Sequence, residues 1–295
     1  MGSIIFKFDK GYQRAADEFA SSAQVIDGII NKIIGGQYTA PDLDVAIISN
    51  LLLRATFWHA ESLFQQAKLR QLQGLDTEVG LVKQAFTQAR GVYEQVLSRG
   101  MKLRSGFPDK TQNLLNMMDG EKLEIPIVSE SQFMISRCLY EEGDLSTARL
   151  KLQEVQIAEN LKPKMDYLTA LIAHKQNNLS EAKTIAEKWL SDEDMKKMPD
   201  EYAVGLQNII ARIALDSGNA SEAKTKALDT WALYQATAGL WEEAAQIVAE
   251  SYYQQKDIEK ATSWYNRLVS SQFEYWRRIG RTGIAKITGS TGEGE

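Results

Sequence analysis

The side chains able to do covalent, acid–base or metal chemistry are few. His59 and His174 are the two histidines, and Cys138 is the one cysteine, which excludes an internal disulfide. A zinc site needs about three or four His, Cys or carboxylate ligands at set spacings, and no second His or Cys stands at such a spacing from any of the three. His59 follows Trp58 inside a helical run and reads as a packed or surface residue. Arg137 precedes Cys138 and could lower its pKa. Leu139 follows it in a helical stretch, and a small buried hydrophobe fits that place better. Gly35-Gly36 lacks the Lys-Ser/Thr of a phosphate loop. The pairs Glu141-Glu142 and Glu242-Glu243 read as solvated helix faces. The chain is therefore expected to hold no catalytic residue, no metal ligand and no cofactor, and not to be an enzyme.

Residues suited to recognition are more numerous. Trp231, Trp241, Trp264 and Trp276 crowd the last third, with Tyr234, Tyr252, Tyr253, Tyr265 and Tyr275. Most of these read as core and as a closing helix. Tyr252 and Tyr253 are adjacent on a helix and must point to different faces. A basic cluster follows, Arg277, Arg278, Arg281 and Lys286. Cations late in a helix favour its dipole. The same cluster would also suit an acidic surface or an anionic lipid.

The elements that carry these residues are helical. Hydrophobic residues make up 44% and charged residues 25% of the 295, the composition of an ordinary globular protein. There are only 5 prolines, and no series of alternating Val/Ile/Thr runs marks out strands. A net charge of −5 argues against a protein that wraps nucleic acid, which carries a basic stripe. No apolar run approaches the 18 or so residues of a membrane span. Ile4-Ile5-Phe6 is too short for a signal core. The cytoplasm is the favoured compartment, with a bacterial periplasm open if a leader has been removed.

Apolar spacing predicts helices at about 10–34, 42–73 and 79–98. Pro41 suits a first helical turn, with Asp42 and Asp44 favouring the dipole. Residues 99–128 hold Gly100, Gly106, Pro108, Gly120 and Pro126 and no clear period, so they read as an inserted loop segment. Helix pairs then follow at about 131–142 with 145–159, 165–176 with 179–191, 201–217 with 220–235, and 239–255 with 258–270. A last helix occupies about 271–286, and residues 289–295 read as a disordered tail.

Four polar turns repeat: Glu142-Gly143-Asp144, Gln176-Asn177-Asn178, Ser217-Gly218-Asn219 and Gln255-Lys256-Asp257. Each is followed by a small or aliphatic residue, two polar or acidic residues, and Ala. The closing Ala148, Ala182, Ala223 and Ala261 are 34, 41 and 38 residues apart. Self-similarity at about 30–45 residues marks stacked helical hairpins.

These repeats resemble the tetratricopeptide repeat family. With each closing alanine at motif position 20, the small position 8 falls on Ser136, Ala170, Ala211 and Ala249. Apolar positions 11, 24 and 27 fall on such residues as Leu139, Leu152, Ala186, Val155 and Leu268. The fit covers about 129–270, is partial over 43–97, and is absent from 99–128. The resemblance implies an all-α, right-handed α-solenoid of antiparallel helix pairs with a C-terminal capping helix. The array would be a single one over 1–288, with irregular helices at 1–98 and regular repeats and cap at 129–288.

The family lines its concave groove with the first helix of each repeat. Carried over, the groove would hold Phe133, Arg137 and Tyr140, then Tyr167 and His174, then Asn208 and Arg212, then Tyr253. Aromatics and arginine are the types enriched at binding hot spots. The Lys/Asn pattern with which one subtype grips a terminal carboxylate is absent, since Phe133, Arg137, Tyr167 and Leu171 stand there. The resemblance thus implies a scaffold that binds a protein or peptide, with the two arginines suiting an acidic segment. The other expectation is an accessory or regulatory subunit packing on a catalytic partner through 99–128.

Overall fold

The computed structural model describes residues 2–74, 80–107, 127–155, 161–189, 200–233 and 239–289. Among them twelve helices follow one another and no strand occurs, so the all-α expectation holds. The chain divides into two compact units, Met1–Gln71 with Leu75–Leu161, and Leu72–Gly74 with Lys162–Glu295.

The first unit holds α1 (Gly2–Ile34), α2 (Asp42–Leu72, as far as Gln71), α3 (Leu81–Gly106), α4 (Ile127–Glu142) and α5 (Leu145–Gln153). Leu53, Phe57, Ala60, Phe64 and Ala67 form one buried stripe on α2, and Val82, Phe86, Ala89, Tyr93 and Val96 form another on α3. Both stripes follow the helical period. The two helices meet through edge-to-face rings: Phe64 lies 5.5 Å from Phe86, and Phe57 lies 5.8 Å from Tyr93. Such pairs add about 0.5–1.5 kcal/mol beyond area burial. The Tyr93 hydroxyl donates to Glu61 at 2.7 Å.

Two boundaries differ from expectation. Residues 99–106 continue α3 instead of opening a loop, and α4 begins at Ile127. Gly100 and Gly106 read as breakers, yet a helix tolerates glycine at about 1 kcal/mol relative to alanine. Burial of Leu103, and of Ile127 at the start of α4, offsets that cost. A Cβ on Gly106 would lie 2.6 Å from Cδ1 of Ile34, so the glycine also lets the ends of α1 and α3 approach. The rest of the expected loop, 108–126, lies outside the described residues, as do Tyr234 and the tail from 290.

The second unit holds α6 (Lys162–Lys175), α7 (Leu179–Glu187), α8 (Asp200–Asp216), α9 (Ala220–Leu233), α10 (Leu240–Gln254), α11 (Ile258–Val269) and α12 (Glu274–Thr288). Helices α6, α8, α10 and α12 pack on one another in order. The intervening α7, α9 and α11 pack on the neighbours that flank them in sequence. The core is built mainly of alanine, isoleucine and leucine.

The four repeated turns share one geometry. In each, the residue before the cap has positive φ: Gly143 (86°), Asn177 (60°), Gly218 (80°) and Lys256 (61°). This left-handed residue turns the chain so that two backbone amides close the preceding helix. In the first turn Gly143 N donates to Tyr140 O at 3.1 Å, and Asp144 N to Leu139 O at 2.9 Å. The residue that closes one helix also caps the next. Oδ1 of Asp144, Asn178, Asn219 and Asp257 accepts from the amides of Thr147, Glu181, Glu222 and Lys260. Because one residue serves both ends, each hairpin needs only a two- or three-residue link.

The small positions pack as their size demands. Ala148, Ala182, Ala223 and Ala261 are fully buried, and so are Ser136, Ala170, Ala211 and Ala249. A methyl or hydroxymethyl group at each site lets two helix backbones approach closely.

Candidate functional site

The residues with intrinsic reactivity are restrained by their surroundings. Cys138 is fully buried, and burial, reinforced by Glu142 and Glu141, pushes its thiol well above the usual range. Burial and then Arg99 hold His59 below its usual pKa. Among the described residues no three His, Cys, Asp or Glu side chains are grouped to hold a metal, and no helix is long and apolar enough to cross a membrane.

The acidic pairs are not solvated faces. The side chains of Glu141 and Glu142 are only 6% and 7% exposed. Glu141 receives Lys68 at 3.3 Å, Gln71 at 3.2 Å and Arg137 at 2.9 Å, and Glu142 receives Arg90 at 2.8 Å. Glu242 is buried too, its carboxylate accepting from the backbone of Gly239 at the start of α10. Sequence shows the charge but not Lys68 and Arg90, which other helices bring to Glu141 and Glu142.

The eight residues expected in a groove part company. Phe133, Tyr140 and Tyr167 are buried, so their rings are packing residues. Gly205 explains Tyr167: a Cβ there would lie 2.4 Å from the ring, so the missing side chain leaves the slot that the tyrosine fills. Asn208 is buried, donating to Leu240 O at 2.8 Å and to Glu243 at 3.0 Å. Arg137 stands over the Tyr140 ring at 5.5 Å besides its pairing with Glu141. His174 Nε2 lies 3.1 Å from Asp216 Oδ2. Arg212 pairs with Glu250, and Tyr253 remains partly exposed.

Arg212, Asp216, Glu250 and Tyr253 lead to an open groove of about 520 Å³ within the second unit. Helix α8 contributes Leu215 and Asp216 to its lining, α10 contributes Gln246, Glu250, Tyr253 and Gln254, and α11 contributes Tyr265. Arg278, Ile279, Thr282, Gly283 and Lys286 of α12 complete it. On α10 and α12 these residues recur every three or four positions, which brings them to one face. Glu250 is doubly engaged, by Arg212 and by Gln246 Nε2 at 2.6 Å. Lys286 Nζ stands 4.8 Å from the centre of the Tyr253 ring.

The C-terminal basic cluster divides in two. Arg277 and Arg281 both bind Glu274, and together they hold its carboxyl below the usual range. Arg278 and Lys286, eight residues apart on one face, line the groove, and neither has a carboxylate partner among the described residues. The sequence marked the cluster but not this division. It carried no sign that Tyr265 or Gly283 would line a cavity.

No protein-family model matches this sequence, and no curated protein matches it. The structure is similar to the crystal structure of BtubC (BKLC) from P. vanneervenii, with a TM-score of 0.52 and 12% identity over 96% of this chain and 95% of that one. The fold is that of a helical-repeat protein. A second likeness is to the apo form of RapI, with a TM-score of 0.48 and 10% identity over 97% of this chain and 84% of that one.

Proposed function

We propose that this chain is a non-enzymatic interaction scaffold of tetratricopeptide type that binds a protein or peptide segment in the groove of α8, α10 and α12. The observation that carries this reading is the groove itself: an open 520 Å³ cavity walled by the first helices of two successive hairpins, α8 and α10, and by the closing helix α12, with Tyr265 of α11 between them. Extended concave surfaces of this kind are how stacked hairpins engage partners. The recurring turns and the fully buried small residues support the tetratricopeptide assignment. Tyr253 supplies an amphipathic ring with little rotamer freedom to lose, and Arg212 holds the lining residue Glu250 in place. The net charge of −5 disfavours nucleic acid as the partner.

A photo-crosslinking residue at position 253 tests this. It should form discrete protein adducts in extract of the native cell, and the groove-filling variant Thr282→Trp should abolish them. Thr282 is exposed, so the variant can fold. Adducts that persist in Thr282→Trp, or that form equally from the exposed Leu150 of the first unit, would place binding elsewhere.

A further inference from the structure

We infer that the groove in the second unit recognises a single carboxylate of its peptide ligand, held by Arg278 and Lys286 of α12 with the Tyr265 hydroxyl as a third donor. This rests on the proposed scaffold reading and adds the chemistry of the ligand. Four observations carry it.

The first is charge. The lining carries Arg278 and Lys286 with Asp216 and Glu250, in a protein of net charge −5, and Arg212, which stands outside the lining, neutralises Glu250. This leaves Arg278 and Lys286 available. The local excess is therefore positive where the whole chain is negative, and this would draw an anionic ligand to the groove.

The second is Tyr265. It lines the groove, is only 5% exposed, and its hydroxyl has no hydrogen-bond partner among the described residues. It is the ring that is enclosed; the hydroxyl is not among the enclosed unpartnered polar atoms, so it stays accessible at the groove wall, where it can donate to a ligand acceptor. Burial and then Glu250 push its pKa up to about 12, so it keeps its proton and donates.

The third is geometry. Gly283 lies under the Tyr265 ring and Thr282 beside it is exposed, so the middle of the wall between the two cations carries only small side chains, with Ile279 next to Arg278. Arg278 presents a planar fork suited to two carboxylate oxygens, and Lys286 a point charge.

The fourth limits the count to one. Asp216 stands on α8, the wall formed by a different helix, with His174 as its partner, and would repel a second anion.

The test uses the full chain and four degenerate ten-residue peptide pools. Two end in a free carboxylate and two in an amide, and each kind carries either one fixed Glu or one fixed Gln near its end. Binding is read by fluorescence anisotropy. At least one carboxylate-bearing pool should bind and the amide–Gln pool should not. Binding of the free-acid Gln pool assigns the terminal carboxylate, and binding of the amide Glu pool assigns the side chain. Arg278→Gln with Lys286→Gln should weaken binding about tenfold or more, and Tyr265→Phe several-fold, with melting temperatures unchanged. Tyr265→Phe keeps the ring on Gly283 and so serves if the charge variant misfolds. Equal binding of all four pools, unaffected by these variants, overturns the carboxylate inference and leaves groove binding standing. No binding by any pool, together with no adduct from position 253, overturns both.

Discussion

A Cβ placed on Gly283 would lie 2.2 Å from Cε1 of Tyr265. The ring of α11 is thus seated directly on the backbone of α12, and the groove wall depends on that contact. Gly280 extends the relationship, since a Cβ there would lie 2.7 Å from both the Tyr265 carbonyl oxygen and the Val269 amide nitrogen. Two glycines three residues apart let the closing helix approach.

Gly283→Ala should therefore destabilise the second unit by about 1–3 kcal/mol, the usual cost of overpacking. Gly280→Ala should cost at least as much, because the obstructing atoms are backbone and cannot turn aside. Urea unfolding followed by circular dichroism measures both. Stability unchanged in the two variants would contradict the packing of α12 described above.

The fully buried alanines make a parallel case. Ala182→Leu and Ala223→Leu each insert three carbons where helices cross closely. Each should lower stability by about 1–3 kcal/mol. Replacing the exposed Leu150 with Ala, as a control, should change stability by less than about 0.5 kcal/mol.

Backbone conformation predicts a gain as well as losses. Lys256 has φ of 61° at a place where two of the other three turns use glycine. A side chain in the left-handed region costs about 1–2 kcal/mol, and glycine returns about 0.5–1 kcal/mol of that through unfolded-state entropy. Lys256→Gly should thus stabilise by about 0.5–1 kcal/mol, and Gly143→Ala should destabilise by a similar amount. Thermal melts of the pair read both signs.

Glu141 predicts the acid limb of stability. Its burial would raise the carboxyl pKa, but Lys68, Arg137 and the Gln71 hydrogen bond outweigh burial and hold it at about 2, against 4.5 for an ordinary glutamate. A folded-state value below the unfolded one gives stability that is fully present above about 4.5 and is lost as pH falls towards 2. The loss is on the order of 3 kcal/mol. Glu141→Gln should lower stability at pH 7 and flatten the dependence between pH 5 and 2. A variant that keeps the wild-type slope would show that another carboxylate is responsible.

Much of the repeat region from α4 onward was legible in the sequence because its signals are local. Asp144, Asn178, Asn219 and Asp257 cap helices through amides three residues away, and the closing alanines are small for a reason written into each hairpin. The limits of α3 and α4 were less legible. Gly100 and Gly106 carry a local penalty that only the burial of Leu103 and the contact with Ile34 outweigh.

The binding face shows where local information ends. Its sequence alone determined that hairpins form, where they turn, and that Arg278 and Lys286 share a face of α12, since spacing along a helix decides these. Tertiary structure decided which rings are enclosed and which charges remain unsatisfied. Tyr167 is buried because Gly205, 38 residues on, leaves it a slot. Arg277 and Arg281 are neutralised by Glu274, while Arg278 and Lys286 line the groove and pair with no carboxylate among the described residues. The availability of a side chain is set by its neighbours in space, and in this chain the deciding neighbours come from other helices or, for Arg277 and Arg281, from the same face of their own helix.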